Sequence, residues 1–401
     1  MTASKTKRIS SQNTVVVLCW FVYTFAYVGR YSYNANINLV IGDFGITHAD
    51  AGLVTTFFFF AYGIGQVVNG LLCKKYNKKW IMPIVLFLSS ALNLLILWVP
   101  FSYFKYLWIL NGFLQSCLWP SIVHVLGTNL DSGHMERALT IMSVTATVGT
   151  ILAYGAGSFF VWLNNYRWSF VFAAVLMSAV GLMWVLLFQN NPIYALPGKK
   201  KKSTGSKLSG VGIVLVALAL FAVIDNLVKD GVNTWMPSLL AENFGMKDES
   251  SILSTIILPL LGTFGALLAV KLNRIIKDFV GLALTLLAVA AACLAFIIFF
   301  KNISAAAMVI VCGIIMCVMH GVNNVITAIA PLKMRDKVEP GKIAGILNGF
   351  CYLGSTVSAY GLGAIADHGG WDATFWLLLA ACAVGILAGI LYLLYVRCRK
   401  K

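Results

Sequence analysis

Runs of about twenty apolar residues recur twelve times along this 401-residue chain, parted by short polar stretches. A helix needs about 20 residues to cross roughly 30 Å of hydrocarbon, and it satisfies its own backbone polar groups inside lipid. The runs predict spans at roughly 13–40, 51–73, 80–99, 106–128, 138–162, 168–188, 210–241, 250–271, 279–300, 304–331, 343–366 and 372–396. Charged residues make up 11% of the chain and hydrophobic ones 60%. A soluble domain carries roughly 25% charged residues, so lipid is the solvent this chain is built for. Twelve spans with short loops use nearly all of the length, which leaves no room for a soluble enzymatic domain.

The net charge of +16 raises the question of nucleic acid, and its placement answers it. Alternate loops, counted from the N-terminus, hold 24 of the 30 basic residues, among them Lys74, Lys75, Lys78 and Lys79, the run Lys199 to Lys202, and Arg397 to Lys401. The opposite loops hold four, Lys105, Arg167, Lys247 and Lys301. This positive-inside bias predicts an integral protein of the cytoplasmic (inner) membrane with both termini in the cytoplasm. The lipid bilayer is then the expected partner rather than nucleic acid, with the chain a monomer. Asn-Asn-Pro, Pro-Gly and the lysine run mark 189–209 as a cytoplasmic linker. It separates an N-terminal bundle (1–188) from a C-terminal bundle (210–401). The nine cysteines show no paired spacing, and no cleavable leader, metal motif, cofactor motif or catalytic constellation is legible. His48, His124, His134 and His368 read as residues near span ends rather than as a proton relay.

The two remaining basic residues, Arg30 and Lys229, lie inside the first and seventh spans. Sliding the second half back by 199 places Lys229 on Arg30 and Asn233 on Asn34, and a shift of 200 places Phe244-Gly245-Met246 on Phe44-Gly45-Ile46. Weak internal symmetry of this kind marks transporters built from repeats, whose sites lie near the midplane. A charge at the bilayer centre costs about 2.5 to 3.5 kcal/mol on insertion scales, so it is expected to face a polar cavity. Tyr23, Tyr27, Arg30 and Asn34 share one helical face, as do Tyr62, Gln66 and Asn69 in the second span. Gln115 and Trp119 add to the fourth span, and His320, Asn324 and Thr327 to the tenth. Interhelical hydrogen bonding explains any one of these amides equally well; together they favour a pathway. Asp225 precedes Lys229 by one helical turn, which allows an ion pair that neutralises Lys229 or a carboxylate that competes with an anion for it.

At these residues the chain resembles the major facilitator superfamily, and within it the organophosphate:phosphate antiporter family. The resemblance runs through Tyr23-x-x-x-Tyr27-x-x-Arg30, Ala61-Tyr62-Gly63, Gly112-x-x-Gln115-x-x-x-Trp119-Pro120 and Lys229-x-Gly231-x-x-x-Trp235-x-Pro237. It continues through Ala344-Gly345-x-x-x-Gly349-x-x-Tyr352-Leu353-Gly354 and Gly370-Trp371-Asp372. It implies an all-α membrane protein of twelve transmembrane helices in two pseudo-symmetric six-helix bundles. It also implies basic residues from the first and seventh helices clamping a phosphate, and exchange by rocking of the halves. Four positions depart from the family pattern: Lys229 replaces an arginine, Gln66 replaces a lysine, the fifth span has no histidine, and 251–271 holds no carboxylate. The cavity then holds fewer cations.

The expected function is secondary active transport of a small organic anion, organophosphate first, in exchange for phosphate. Two alternatives stand beside it: a proton-coupled symporter of a carboxylate or zwitterion with Asp225 as the proton site, and a transport-like sensor of a phosphorylated metabolite. Arg30, Lys229, Tyr27, Tyr23, Asn34, Tyr62, Gln66, Gln115, Trp119, His320 and Asn324 are the candidate substrate contacts, with no catalytic group, metal or cofactor.

Overall fold

A computed structural model describes residues 11–72, 75–189, 212–300, 303–334 and 340–400, and every regular element among them is helical. Ten helices are each long and apolar enough to span a bilayer once: α1 Gln12–Ala35, α2 His48–Leu72, α3 Lys78–Leu95, α4 Phe101–Asn129, α5 Gly133–Trp162, α6 Trp168–Leu187, α7 Gly212–Phe244, α8 Asp248–Ile275, α9 Phe279–Phe299 and α10 Ala305–Lys333. The last apolar helix, Ile343–Cys398, has 56 residues. At 1.5 Å per residue it would extend about 84 Å, far more than one crossing needs. It is broken at Gly370, whose φ of 69° and ψ of −178° are non-helical, and so supplies α11 (343–369) and α12 (371–398). The result is the expected twelve-helix, two-bundle membrane architecture. The linker expected at 189–209 falls almost wholly outside the described residues.

Burial separates core from lipid face. Val22, Leu86, Val125, Met177 and Trp184 fill the first bundle, and Phe221, Leu287, Met319 and Cys382 the second. Around the outside, Phe60, Leu71, Trp98, Val175, Val216, Phe264 and Leu387 stand exposed. An apolar belt of this extent is stable only against hydrocarbon, so the chain is an integral membrane protein. The two ends differ in charge. Lys75, Lys78, Lys79, Arg137, Lys271, Arg274, Lys277 and Lys333 mark a basic end, and Asp43, Asp50, Glu242, Asp248, Glu249, Asp367 and Asp372 an acidic end.

The repeat read from sequence recurs in the backbone. Gly45 ends the short helix Ile37–Phe44 that follows α1, and Gly245 ends α7, at φ values of 61° and 62°. Both sit in the left-handed region, where only glycine is free of Cβ strain, and both stop a helix at the acidic end.

The halves are fastened to each other at that acidic end. Asn34 Nδ2 donates to Thr234 Oγ1 at 3.0 Å, Tyr154 OH to the Asn233 carbonyl at 2.8 Å, and Thr56 Oγ1 to the Thr356 carbonyl at 2.7 Å. The densest point is the start of α2. The Asp367 carboxylate, from the end of α11, accepts the backbone N–H groups of His48 and Ala49 at 2.9 and 2.8 Å and meets His48 Nδ1 at 2.7 Å. Glu242, at the end of α7, meets His48 Nε2 at 2.7 Å and accepts from Trp371 Nε1 at 2.9 Å. One half thus caps a helix N-terminus of the other, where free N–H groups and the helix dipole favour an anion. His48 is more than the span-end residue its sequence position suggests, because it bridges two carboxylates of the opposite half. Trp235 and Trp371 pack their rings on it at 5.5 and 5.4 Å, and the Ala359 carbonyl approaches Gly52 so closely that a Cβ there would collide with it.

Toward the basic end the halves part. Tyr62 and Tyr352 still touch with ring centroids 5.0 Å apart, and Thr147 and Thr263 share a hydrogen bond of 2.7 Å. Gly349 and Gly345 continue the Tyr352 face of α11 by one and two turns, and Gly70 continues the Gly63 face of α2. None of these three has an atom within 4 Å of an added Cβ, so α2 and α11 diverge there. Any state open at the acidic end must break the contacts of His48 with Glu242 and Asp367, which act as a latch. Removing an N-cap carboxylate costs about 1 kcal/mol, and with the His48 contact gone Asp367→Ala should shift that balance roughly ten-fold. In a cysteine-free background carrying Thr56→Cys, Asp367→Ala should raise labelling by an impermeant maleimide from the acidic-end side. Unchanged labelling would show that the latch holds nothing shut.

Candidate functional site

Between the bundles lies a cavity of about 250 Å³, lined from one half by Tyr27, Arg30, Tyr31, Thr147 and Thr150 and from the other by Asn226, Lys229, Asp230, Asn233, His320, Asn323 and Tyr352. Arg30 and Lys229, the two equivalents of the repeat, line the same space.

Arg30 is 5% exposed and meets no carboxylate among the described residues. Its guanidinium carbon sits 4.3 Å from the ring centroids of both Tyr27 and Tyr62 and 5.2 Å from that of Phe58. Three π faces and low hydration stabilise a cation that no anion pairs with. Arg30 Nε donates to Gln115 Oε1 at 3.4 Å, and Gln115 Nε2 donates to Asn111 Oδ1 at 3.1 Å. Gln115 thus fixes the guanidinium from behind, while Nη2 is buried with no hydrogen-bond partner among the described residues. Arg30 lines the cavity, and a held guanidinium with unused donor capacity is suited to an oxyanion.

Lys229 is engaged within its own helix. Its Nζ donates to Asn226 Oδ1 at 2.9 Å and lies 3.5 Å from Asp225 Oδ2, the i,i+4 contact read from the sequence. Asp225 is fully buried; its Oδ2 also accepts from Asn323 Nδ2 at 3.0 Å, and its Oδ1 has no hydrogen-bond partner among the described residues. From Asn226 the network runs on, since Asn226 Nδ2 donates to Ser355 Oγ at 2.8 Å and Ser355 Oγ donates to Asp230 Oδ2. On α10, His320 donates from Nδ1 to the Met316 carbonyl at 2.9 Å, because a carbonyl can only accept, and its other ring nitrogen remains for a ligand.

Of the residues singled out from sequence, Arg30, Lys229, Tyr27 and His320 line the cavity. Gln115 and Tyr62 stand behind Arg30. Tyr23 and Trp119 pack on each other at 4.9 Å, and Tyr23 meets Tyr27 at 5.2 Å, so both are a layer removed. Asn34 is a fastener of the halves, accepting from Thr55 Oγ1 at 3.0 Å as well as donating to Thr234. Gln66 and Asn324 lie outside the lining, where Asn323 takes the place expected of Asn324. Asp230, Asn226, Asn233, Tyr31 and Tyr352 were not picked out as lining residues. The spacing Asn226, Lys229, Asn233, three and then four residues, carried that signal.

The family model described as Major Facilitator Superfamily matches residues 19–338. The chain belongs to that superfamily. Among its relatives is a probable hexose phosphate transport protein of Chlamydia pneumoniae, 22% identical over 91% of this chain and 87% of the relative. Another is the membrane sensor protein UhpC of Escherichia coli, 21% identical over 93% of this chain and 90% of the relative. These bear out the resemblance to organophosphate carriers and sensors read from the motifs. Of solved structures, a bacterial homolog to the human lysosomal transporter Spinster, inward-facing and occupied, superposes with a TM-score of 0.78 at 16% identity, covering 96% of this chain and 97% of that one. It shares the fold.

Proposed function

We propose that the chain is a secondary active transporter that moves a small organic anion, an organophosphate first, across the cytoplasmic (inner) membrane by alternating access in exchange for phosphate. One observation carries this reading: Arg30, a buried guanidinium that meets no carboxylate among the described residues, lines a cavity between two halves that are fastened at one end and parted at the other. The positive-inside bias puts the basic end and both termini in the cytoplasm. The cavity then faces the cytoplasm, and the His48 latch closes the outer side. Exchange follows from rocking of the two halves, with the anion contacting Arg30 and Lys229 in both states. Since the cavity lies within one chain, a monomer suffices, and the apolar belt is a surface for the lipid bilayer rather than for nucleic acid.

The sensor among the relatives favours a second reading, in which ligand binding shifts the same two states without flux. Purified protein in liposomes loaded with phosphate decides between them. Counterflow of a phosphate ester is the expected result. Binding of the ester without flux would establish the sensor. Accumulation of carboxylates alone, driven by a proton gradient, would replace exchange with symport.

A further inference from the structure

The charges at the cavity describe more than an anion site. Arg30 and Lys229 contribute two positive charges, and Asp225 and Asp230 two negative ones, so the formal sum is zero. These four groups are not equivalent. Asp225 is fully buried behind Lys229, and the two form a pair at 3.5 Å. What is left facing the cavity is Arg30 on one half and Asp230 on the other. Among the described residues Asp230 meets no cation within ion-pair distance, because the neighbouring Lys229 turns to Asp225 and Asn226. Its hydrogen-bond partner is the Ser355 hydroxyl, on Oδ2. A carboxylate accepts at about four lone-pair sites, so capacity toward the cavity remains.

A free carboxylate on the wall opposite Arg30 repels a dianion that Arg30 attracts. The arrangement favours binding only if the ligand brings positive charge to that wall. Resting on the transport reading above, we infer that the ligand is an amine-bearing phosphate ester, with its phosphate on Arg30 and its ammonium on Asp230. Tyr31 and Tyr352 line the same space, and aromatic rings beside a cation attract it. The sequence-based alternative of a zwitterion made Asp225 the proton site; its pairing with Lys229 leaves Asp230, five residues on, as the carboxylate that lines the cavity.

Two matched probes test this on the full-length protein: 2-aminoethyl phosphate and 2-hydroxyethyl phosphate, which differ in an ammonium against a hydroxyl. Wild-type protein should bind and exchange the aminoethyl ester at least ten-fold better. Asp230→Asn keeps an acceptor for Ser355 and removes the charge, and it should abolish that preference mainly by strengthening the hydroxyethyl ester. Equal or reversed preference in the wild type would overturn the inference and leave the transport reading standing, as would a preference that survives Asp230→Asn. The wild-type comparison holds even if the variant folds poorly. If neither ester binds or exchanges, it is the transport reading that fails. An amino acid that is carried while both esters are refused would overturn the phosphate assignment.

Discussion

Arg30→Lys is expected to reduce transport about a hundred-fold while the protein folds and inserts normally. The planar guanidinium is held between the Tyr27 and Tyr62 rings, each 4.3 Å away, with Nε committed to Gln115. That leaves the Nη edge as a fork matched to two oxygens of a phosphate or carboxylate. An ammonium keeps the charge but loses the stacking, the Gln115 contact and the fork. Hydrogen bonds to charged groups contribute about 1.5–3 kcal/mol each, so losing one such bond and the fixed orientation removes roughly 3 kcal/mol, or about a hundred-fold. Folding should survive, because no carboxylate loses its counter-ion when Arg30 is replaced. Exchange rates in liposomes, normalised to folded protein, provide the measurement, and near-normal exchange by Arg30→Lys would remove Arg30 from the site.

What the sequence disclosed follows the strength of the physical constraint behind it. Lipid forces apolar runs of fixed length, so the twelve spans were legible to within a few residues. The first was read through to residue 40, but α1 ends at Ala35 and a separate short helix, Ile37–Phe44, follows. Buried charge is costly in lipid, so Arg30, Lys229 and Asp225 stood out, and the i,i+4 geometry of the last two was legible from spacing alone. Pairing across the bundles has no such signature. Asn34 and Asn233 lay on equivalent positions of the repeat and both fasten the halves, yet Asn233 also lines the cavity while Asn34 does not. Asn323 and Asn324 are adjacent amides near the end of the regular α-helix, one residue before the π-helical turn Val325–Ile329. Asn323 and Asn324 stand three and four residues after His320, and both spacings return to one helical face, so spacing alone did not separate them. The latch was hidden for a simpler reason. Each of its groups lies at a span end, where a polar residue is ordinary, and only the fold brings His48, Glu242 and Asp367 together.

Asp225→Asn is the substitution expected to separate exchange from symport. At 3.5 Å and an effective dielectric near 20, the attraction between Asp225 and Lys229 is about 5 kcal/mol before desolvation is counted. Removing it frees Lys229 from its strongest competitor for an incoming anion, while Asn226 still accepts from Nζ. The asparagine retains an oxygen for Asn323 Nδ2, so the local packing of α7 and α10 is kept. Even if desolvation cancels most of the attraction, a residue of about 1 kcal/mol strengthens anion binding roughly five-fold. Under the exchange mechanism proposed here, Asp225→Asn should bind the ester at least that much more tightly, and its counterflow should ignore an imposed proton gradient. Under symport the carboxylate is the proton carrier, so gradient-driven accumulation should vanish while counterflow persists. Lys229→Met is the complementary test. It strands a fully buried carboxylate, which costs about 3–5 kcal/mol where a buried pair is broken, so it should destabilise the protein more than Asp225→Asn does. The double substitution Asp225→Asn with Lys229→Met should then recover much of that loss in thermal melts of the detergent-solubilised carrier. If Asp225→Asn alters neither ester binding nor gradient dependence, the carboxylate is structural, and Lys229 is set by Asn226 instead.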